Sequence, residues 1–144
     1  MGVEGMVHAL EQAARVVQPG GLLIDLRPAP VHRRVGVIRG ADILPAGSMR
    51  EELSSDRLAD AALKRFLRSR RADRLVRKLF VCNRYLENPK AFRAYIAEFA
   101  SAGELPRPHD WLIRRVDQAW QDLPGKKRVI ISAPLMMTVM RRKG

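Results

Sequence analysis

Asp25 and Arg27 are the charged side chains best placed to do chemistry in this sequence. They alternate out of the apolar run from Gly21 to Arg27, near its carboxyl end. Open α/β sheets gather their ligands outside the carboxyl ends of strands, so a carboxylate and a guanidinium here either hold a polar substrate or pair with each other. His32, Arg33 and Arg34 follow closely and add affinity for anions. Asp25, Arg27, His32 and Arg34 are therefore the candidate substrate-facing set. A second group is the basic run Lys64, Arg65, Arg68, Arg70, Arg71, Arg74, Arg77 and Lys78, relieved only by Asp73. On a continuous helix Lys64, Arg68, Arg71, Arg74 and Lys78 share a face, giving an anion-binding stripe able to follow a phosphate backbone. The competing reading is a solvated face, because no aromatic residue is interleaved for base stacking.

Other chemistries find no pattern. His8, His32 and His109 are far apart and lack paired cysteines or a His-x-x-x-His spacing, so no metal site is legible. The serines are scattered and no nucleophile elbow surrounds them, so no catalytic residue is assigned. Cys82 stands alone and reads as a small buried apolar side chain rather than a reactive thiol.

The elements that must position these residues begin with Met6, Leu10, Ala13 and Val17, which stack on one side of a helix. Pro19 stops that helix and Gly20 and Gly21 turn the chain. Leu22, Leu23, Ile24 and Leu26 then predict a strand covered on both faces. Val35, Val37 and Ile38 followed by Ile43 and Leu44 around Gly40 predict a hairpin. A helix starts at Ser54, Ser55 and Asp56 and carries Leu58, Ala59, Ala62, Leu63, Phe66 and Leu67 on one face, with a break or kink after Ser69. Asn88 and Pro89 start another, burying Phe92, Ile96 and Phe99, and a further helix runs from about His109 to Asp122. A last strand, roughly Lys127 to Met140, has Val129, Ile131, Ala133, Leu135, Met137 and Val139 on one side and Pro134 at a bulge or edge, before a solvated tail of Arg141, Arg142 and Lys143. The sum is an α/β fold, a small mixed sheet with packed helices, in a single domain over 1–144 with a helical insertion at about 50–105.

The stretch Ala14, Arg15, Val16, Val17, Gln18, Pro19, Gly20, Gly21 resembles the phrase that leads into the fifth strand of the class I S-adenosylmethionine-dependent methyltransferases. The resemblance covers roughly Gly5 to Pro28 and extends more weakly to the last strand, since that family's sheet closes on a late antiparallel strand. It implies the C-terminal, substrate-side half of such an enzyme. The family's cofactor half, with a glycine-rich loop after its first strand and an acidic residue ending its second, has no counterpart in the residues here. S-adenosylmethionine is thus the implied cofactor, with none expected to bind this chain alone, and the chain is expected to be inactive by itself.

Composition bounds these readings. The chain has 144 residues, with 27 Lys and Arg against 15 Asp and Glu, a formal net charge of +12. That surplus favours anionic partners or reflects arginine as a general solvating residue. No apolar run approaches the roughly 18 residues that span a bilayer, and the lone cysteine agrees with a reducing compartment, so no membrane association and a cytoplasmic location are expected. Three functional readings follow: the substrate-side half of a methyltransferase-like protein, either truncated or completed by a separate chain, a homodimer that covers the exposed edge of strand Gly21 to Arg27, or a basic nucleic-acid-binding module.

Overall fold

The structure, a computed structural model, describes residues 2–144. Its elements in chain order are α1 (Val3–Val16), β1 (Leu22–Pro28), β2 (Arg34–Arg39), β3 (Asp42–Ser48), α2 (Ser54–Arg68), β4 (Ala72–Leu86), α3 (Pro89–Ser101), α4 (Asp110–Asp122) and β5 (Arg128–Arg142). The fold is α/β, with five strands in the order β1-β5-β2-β3 and β4 also paired to β5. The sheet is an open antiparallel one rather than mixed: β1 and β2 each run opposite to β5, and β2 opposite to β3. Among the described residues β1 has no parallel partner and its second edge is unpaired. The chain divides into two compact units, with β4 and β5 each contributing to both. No helix among the described residues is long and apolar enough to cross a membrane.

The first unit comprises the chain up to Val31, Leu53–Phe80 and Pro134–Gly144. Its opening turn uses two glycines for two reasons. Gly20 takes φ +80°, a left-handed conformation that costs other residues. At Gly21 the difficulty is space: a Cβ would lie 2.6 Å from Val17 Cγ1 and 2.9 Å from the Gln18 carbonyl oxygen. That carbonyl accepts the Gly21 N–H at 2.8 Å, closing the turn. β1 then pairs antiparallel with β5, Leu22 opposite Arg141 through Pro28 opposite Leu135. Helices α1 and α2 pack on one face, where Ala14, Leu63 and Phe66 meet Leu23, Ala72 and Met140, flanked by Leu10, Val17 and Leu67. The stripe of α1 is turned slightly from the expected one, with Ala14 buried and Ala13 exposed.

Three expectations fail here. β1 is covered on one face only: Leu23 is buried, while Leu22, Ile24 and Leu26 are 52%, 64% and 56% exposed. The break expected after Ser69 is present, since α2 ends at Arg68 with Ser69 as its C-cap, but the run beyond it is not helical. Arg70 adopts φ 59°, which ends the helical path, and the chain leaves as the strand β4. The apparent shift of apolar phase is thus a change from helical to strand periodicity, and the stretch 50–105 holds a 15-residue strand between α2 and α3. The C-terminal basic residues are not a free tail. The Arg142 N–H donates to Gly21 O and its carbonyl accepts from Gly20 N–H, both at 2.9 Å, while Lys143 Nζ pairs with Asp73 at 3.1 Å.

The second unit comprises His32–Glu52 and Val81–Ala133. The β2–β3 hairpin forms as the sequence predicts, turning at Gly40, with a register shift between Val35 and Gly36. Asn88 Oδ1 accepts the Ala91 N–H at 2.9 Å and Pro89 supplies the first turn, so α3 begins where its capping residues place it. Phe92, Tyr95 and Ile96 of α3, Leu112 and Val116 of α4, Val35 and Met49, and Val129 and Ile131 of β5 make this unit's core. Lys127 Nζ donates to the carbonyls of Trp120 and Leu123 (2.6 Å to the latter), satisfying the end of α4. Cys82 is exposed on β4, contrary to the buried role expected, because the strand places most of its side chains at the surface. In β5 the buried positions are Val129, Ile130 and Ile131, then Thr138 and Met140, so the single odd-numbered stripe does not carry through. Pro134 stands outside the registers with β1 and β2, its carbonyl accepting from Ala29 N–H at 3.0 Å.

Replacing Asn88 by Ala removes the acceptor for Ala91 N–H and should lower stability by about 1 kcal/mol, while Asn88→Gly should lower it by only a few tenths. Urea denaturation of the two variants against the parent checks both values.

Candidate functional site

Asp25 and Arg27 lie two residues apart on β1 and therefore share a face, the helix-covered one that also carries Leu23. Arg27 Nε is 2.9 Å from Asp25 Oδ2, so the two side chains pair with each other. The pair leaves capacity unused. Asp25 Oδ2, Arg27 Nη2 and Thr138 Oγ1 are buried atoms without a hydrogen-bond partner among the described residues, so the ion pair lacks hydrogen-bond alignment. Thr138 is 0% exposed and directly opposite Asp25 in the β1–β5 register. A carboxylate, a guanidinium and a hydroxyl, which between them accept and donate, thus lie on one face of the β1–β5 ladder. Thr138 was not predicted: no local signal marks it, since only strand pairing sets it opposite Asp25.

His32 and Arg34 belong to the second unit. His32 Nδ1 is buried and has no hydrogen-bond partner, and Arg34 begins β2, opposite Ser48 and Ser132, with its side chain exposed. The residue between them makes the stronger constellation. Arg33 donates from its backbone N–H to Glu51 Oε1 at 3.2 Å, and its Nη1 reaches the same oxygen at 3.5 Å. Glu51 is 8% exposed and its Oε2 is unpartnered. The Arg33 guanidinium lies 4.9 Å from the Phe99 ring centroid and that of Arg84 lies 5.1 Å from the Tyr95 centroid. Burial pushes the Tyr95 phenol above its ordinary 10.0, against the opposing pull of Arg33 and Arg84, while Glu51 and Glu98 add to the rise. Nearby in the sequence, His109 is buried and bridges two backbone segments, its Nε2 accepting from Arg50 N–H at 2.8 Å and its Nδ1 2.9 Å from the Arg107 carbonyl. Nε2 is therefore the unprotonated nitrogen, and the ring serves to hold the chain. Arg33, Glu51 and Tyr95 are distant in the sequence and no motif joins them.

The basic stripe does not exist as one face. Lys64 and Arg68 lie on α2, Arg71 in the turn, and Arg74 and Lys78 on β4. The fold brings Lys64, Arg68 and Arg74 together around a cavity of about 430 Å³ beside Asp73, while Arg71 lines another of about 370 Å³. Lys64 also pairs with Asp60 at 3.0 Å. Among the described residues no three His, Cys, Asp or Glu side chains form a metal-binding group.

No family model, curated protein or solved structure matches the chain.

Because the folded state holds the Tyr95 proton more tightly than the unfolded chain, its contribution to stability is full below pH 10.0 and is lost as pH rises from there through the raised folded value. Denaturation midpoints of the parent and Tyr95→Phe across that alkaline range should therefore diverge in slope, the parent falling more steeply. Equal slopes would mean that Tyr95 is not held protonated by the fold.

Proposed function

We propose that this chain is the substrate-side half of a class I S-adenosylmethionine-dependent methyltransferase, in which Asp25, Arg27 and Thr138 face the substrate and a complementary segment supplies the cofactor site. That segment stands on a partner chain or elsewhere in the same polypeptide. The observation that carries the reading is the state of β1. The helix, Pro-Gly-Gly turn and strand lead into an edge whose one side takes the antiparallel last strand β5, while its other side is unpaired. The face away from α1 and α2 carries Leu22, Ile24 and Leu26, with Val139 and Met137 opposite the last two. An α/β half that places a strand beside β1 and a layer over this face would remove the apolar surface from water, at about 1.5–3 kcal/mol for each side chain fully buried.

Methyl transfer asks for alignment of nucleophile and methyl donor more than for an acid or base. The chain's part in that work is to hold the substrate. Asp25 Oδ2 accepts, Arg27 Nη2 donates, and the Thr138 hydroxyl adjusts to either, inside a largely water-excluded patch where such bonds have greater strength. The same open edge also fits a second copy of this chain, which is the dimerising alternative.

The test substitutes Ile24→Lys, an exposed change expected to move stability by no more than about 0.5 kcal/mol. Calorimetric titration of the isolated chain with S-adenosylmethionine and S-adenosylhomocysteine should give no heat. The native assembly recovered through a tag on the chain should bind S-adenosylhomocysteine, and Ile24→Lys should abolish both the assembly and the binding. Cofactor binding by the isolated chain, or a homodimer broken by Ile24→Lys with no cofactor-binding assembly, would overturn the reading.

A further inference from the structure

The turn between α2 and β4 supports a site unrelated to β1's substrate-facing end. A cavity of about 370 Å³ in the first unit is lined by Arg15, Arg70, Arg71, Arg142 and Lys143, with Glu11 the acidic member. We propose that this cavity binds a phosphate-bearing anion.

The charges are arranged for that purpose. Arg71 reaches Glu11 only at 3.9 Å, and Lys143 pairs at 3.1 Å with Asp73, which lies outside the lining, so Glu11 is the one acidic side chain of a lining that holds five basic ones and ends at Gly144. Arg15 bonds the neutral Gln12 at 3.0 Å and keeps its charge uncompensated. Arg142 Nη1 donates to the carbonyls of Arg15 (3.2 Å) and Val17 at the end of α1, which orients the guanidinium plane and neutralises the negative end of the helix. Those bonds do not use Nε or Nη2, so a pre-set donor edge remains, and a fixed fork suits phosphate oxygens. Orientation by backbone carbonyls leaves the net charge of the guanidinium intact.

Arg70 is the decisive residue. It adopts φ 59°, where glycine or asparagine would sit at little cost and a long side chain sits with strain. The strain is not offset by contacts within the unit, since the Arg70 side chain makes no hydrogen bond or ion pair among the described residues; only its N–H is used, donating to Leu67 O at 3.2 Å. A cation held in a costly conformation at a cavity rim, with nothing of the protein's own to bind, fits a ligand that the cavity receives. The second basic cavity, with Lys64, Arg68 and Arg74, lies on the same turn, so a longer polyanion has a second foothold.

Two sources share this chemistry, a free polyphosphate and the backbone of a nucleic acid, and the experiment separates them. Inorganic tripolyphosphate is titrated into the isotopically labelled chain in one arm, and a short RNA duplex in the other, each at low and physiological salt. Saturable shifts at Arg15, Arg70 and Arg71 amides are expected. Arg70→Gly removes the cation and relieves the backbone, so it should keep or raise the thermal midpoint while weakening binding roughly tenfold, the effect of losing one hydrogen bond to a charged group. Arg114→Ala, which removes an exposed cation of the second unit, should change nothing. Saturation by tripolyphosphate assigns a free polyphosphate, and saturation by RNA alone assigns a nucleic-acid backbone. The proposal fails if neither probe saturates, if Arg70→Gly binds as the parent does, or if Arg114→Ala weakens binding as much as Arg70→Gly.

Discussion

The first unit depends on the antiparallel pairing of β1 with the last strand, which brings residues at the two ends of the chain into one ladder. Gly20 and Gly21 exchange backbone hydrogen bonds with Arg142, and the Arg142 guanidinium closes the end of α1 across 127 residues of sequence. The Pro-Gly-Gly turn makes this possible. Gly20 supplies its left-handed angle and Gly21 leaves room for Val17 and the Gln18 carbonyl, so the chain reverses tightly and both glycines present their backbone to Arg142. The same pairing sets Thr138 opposite Asp25 and places Met140 against Ala14, Leu63 and Phe66. Contacts so distant in sequence carry a loop-closure entropy that local contacts do not, and the ladder offsets it with a continuous run of paired residues.

The two exposed strands differ in how they are protected. On β4 the apolar Leu75, Val76 and Leu79 are interrupted by Arg74, Arg77 and Lys78, the kind of charge that discourages edge-to-edge association. On β1 the charges Asp25 and Arg27 are turned to the helix-covered face, and the opposite face presents Leu22, Ile24 and Leu26 without a charge among them. A strand so arranged is suited to being covered. The proposed methyltransferase half, completed by a cofactor-binding segment, gives that arrangement a use.

Both units also spend stability on polar groups placed out of water. Asp25 with Arg27 in the first, and Glu51 with Arg33 in the second, are ion pairs in which at least one buried atom lacks a hydrogen bond. Replacing such pairs by apolar residues of like volume is often neutral or stabilising, so neither pair is a source of net stability on that ground.

The elements legible in the sequence were those written in local chemistry. The Pro-Gly-Gly turn, the hairpin at Gly40, the Asn88 cap with Pro89, and the spacing of Leu112, Val116 and Ala119 each specify a few neighbouring residues through backbone angles or a single capping bond. Asp25 and Arg27 could be picked out because strand alternation alone sets them on one face. Arg70 was misread because an arginine gives no warning of a left-handed backbone, and without that turn the basic run looked like a helix face. Glu51 meeting Arg33, Thr138 facing Asp25 and Arg142 capping α1 arise from strand pairing and packing over long separations. The sequence by itself determined the starts of α2 and α3, the Pro-Gly-Gly turn and the hairpin at Gly40, because capping residues, proline and glycine act on their immediate neighbours. Only the tertiary structure decided which face of β1 is covered and which polar atoms are left unpartnered, because both depend on residues brought together from opposite ends of the chain.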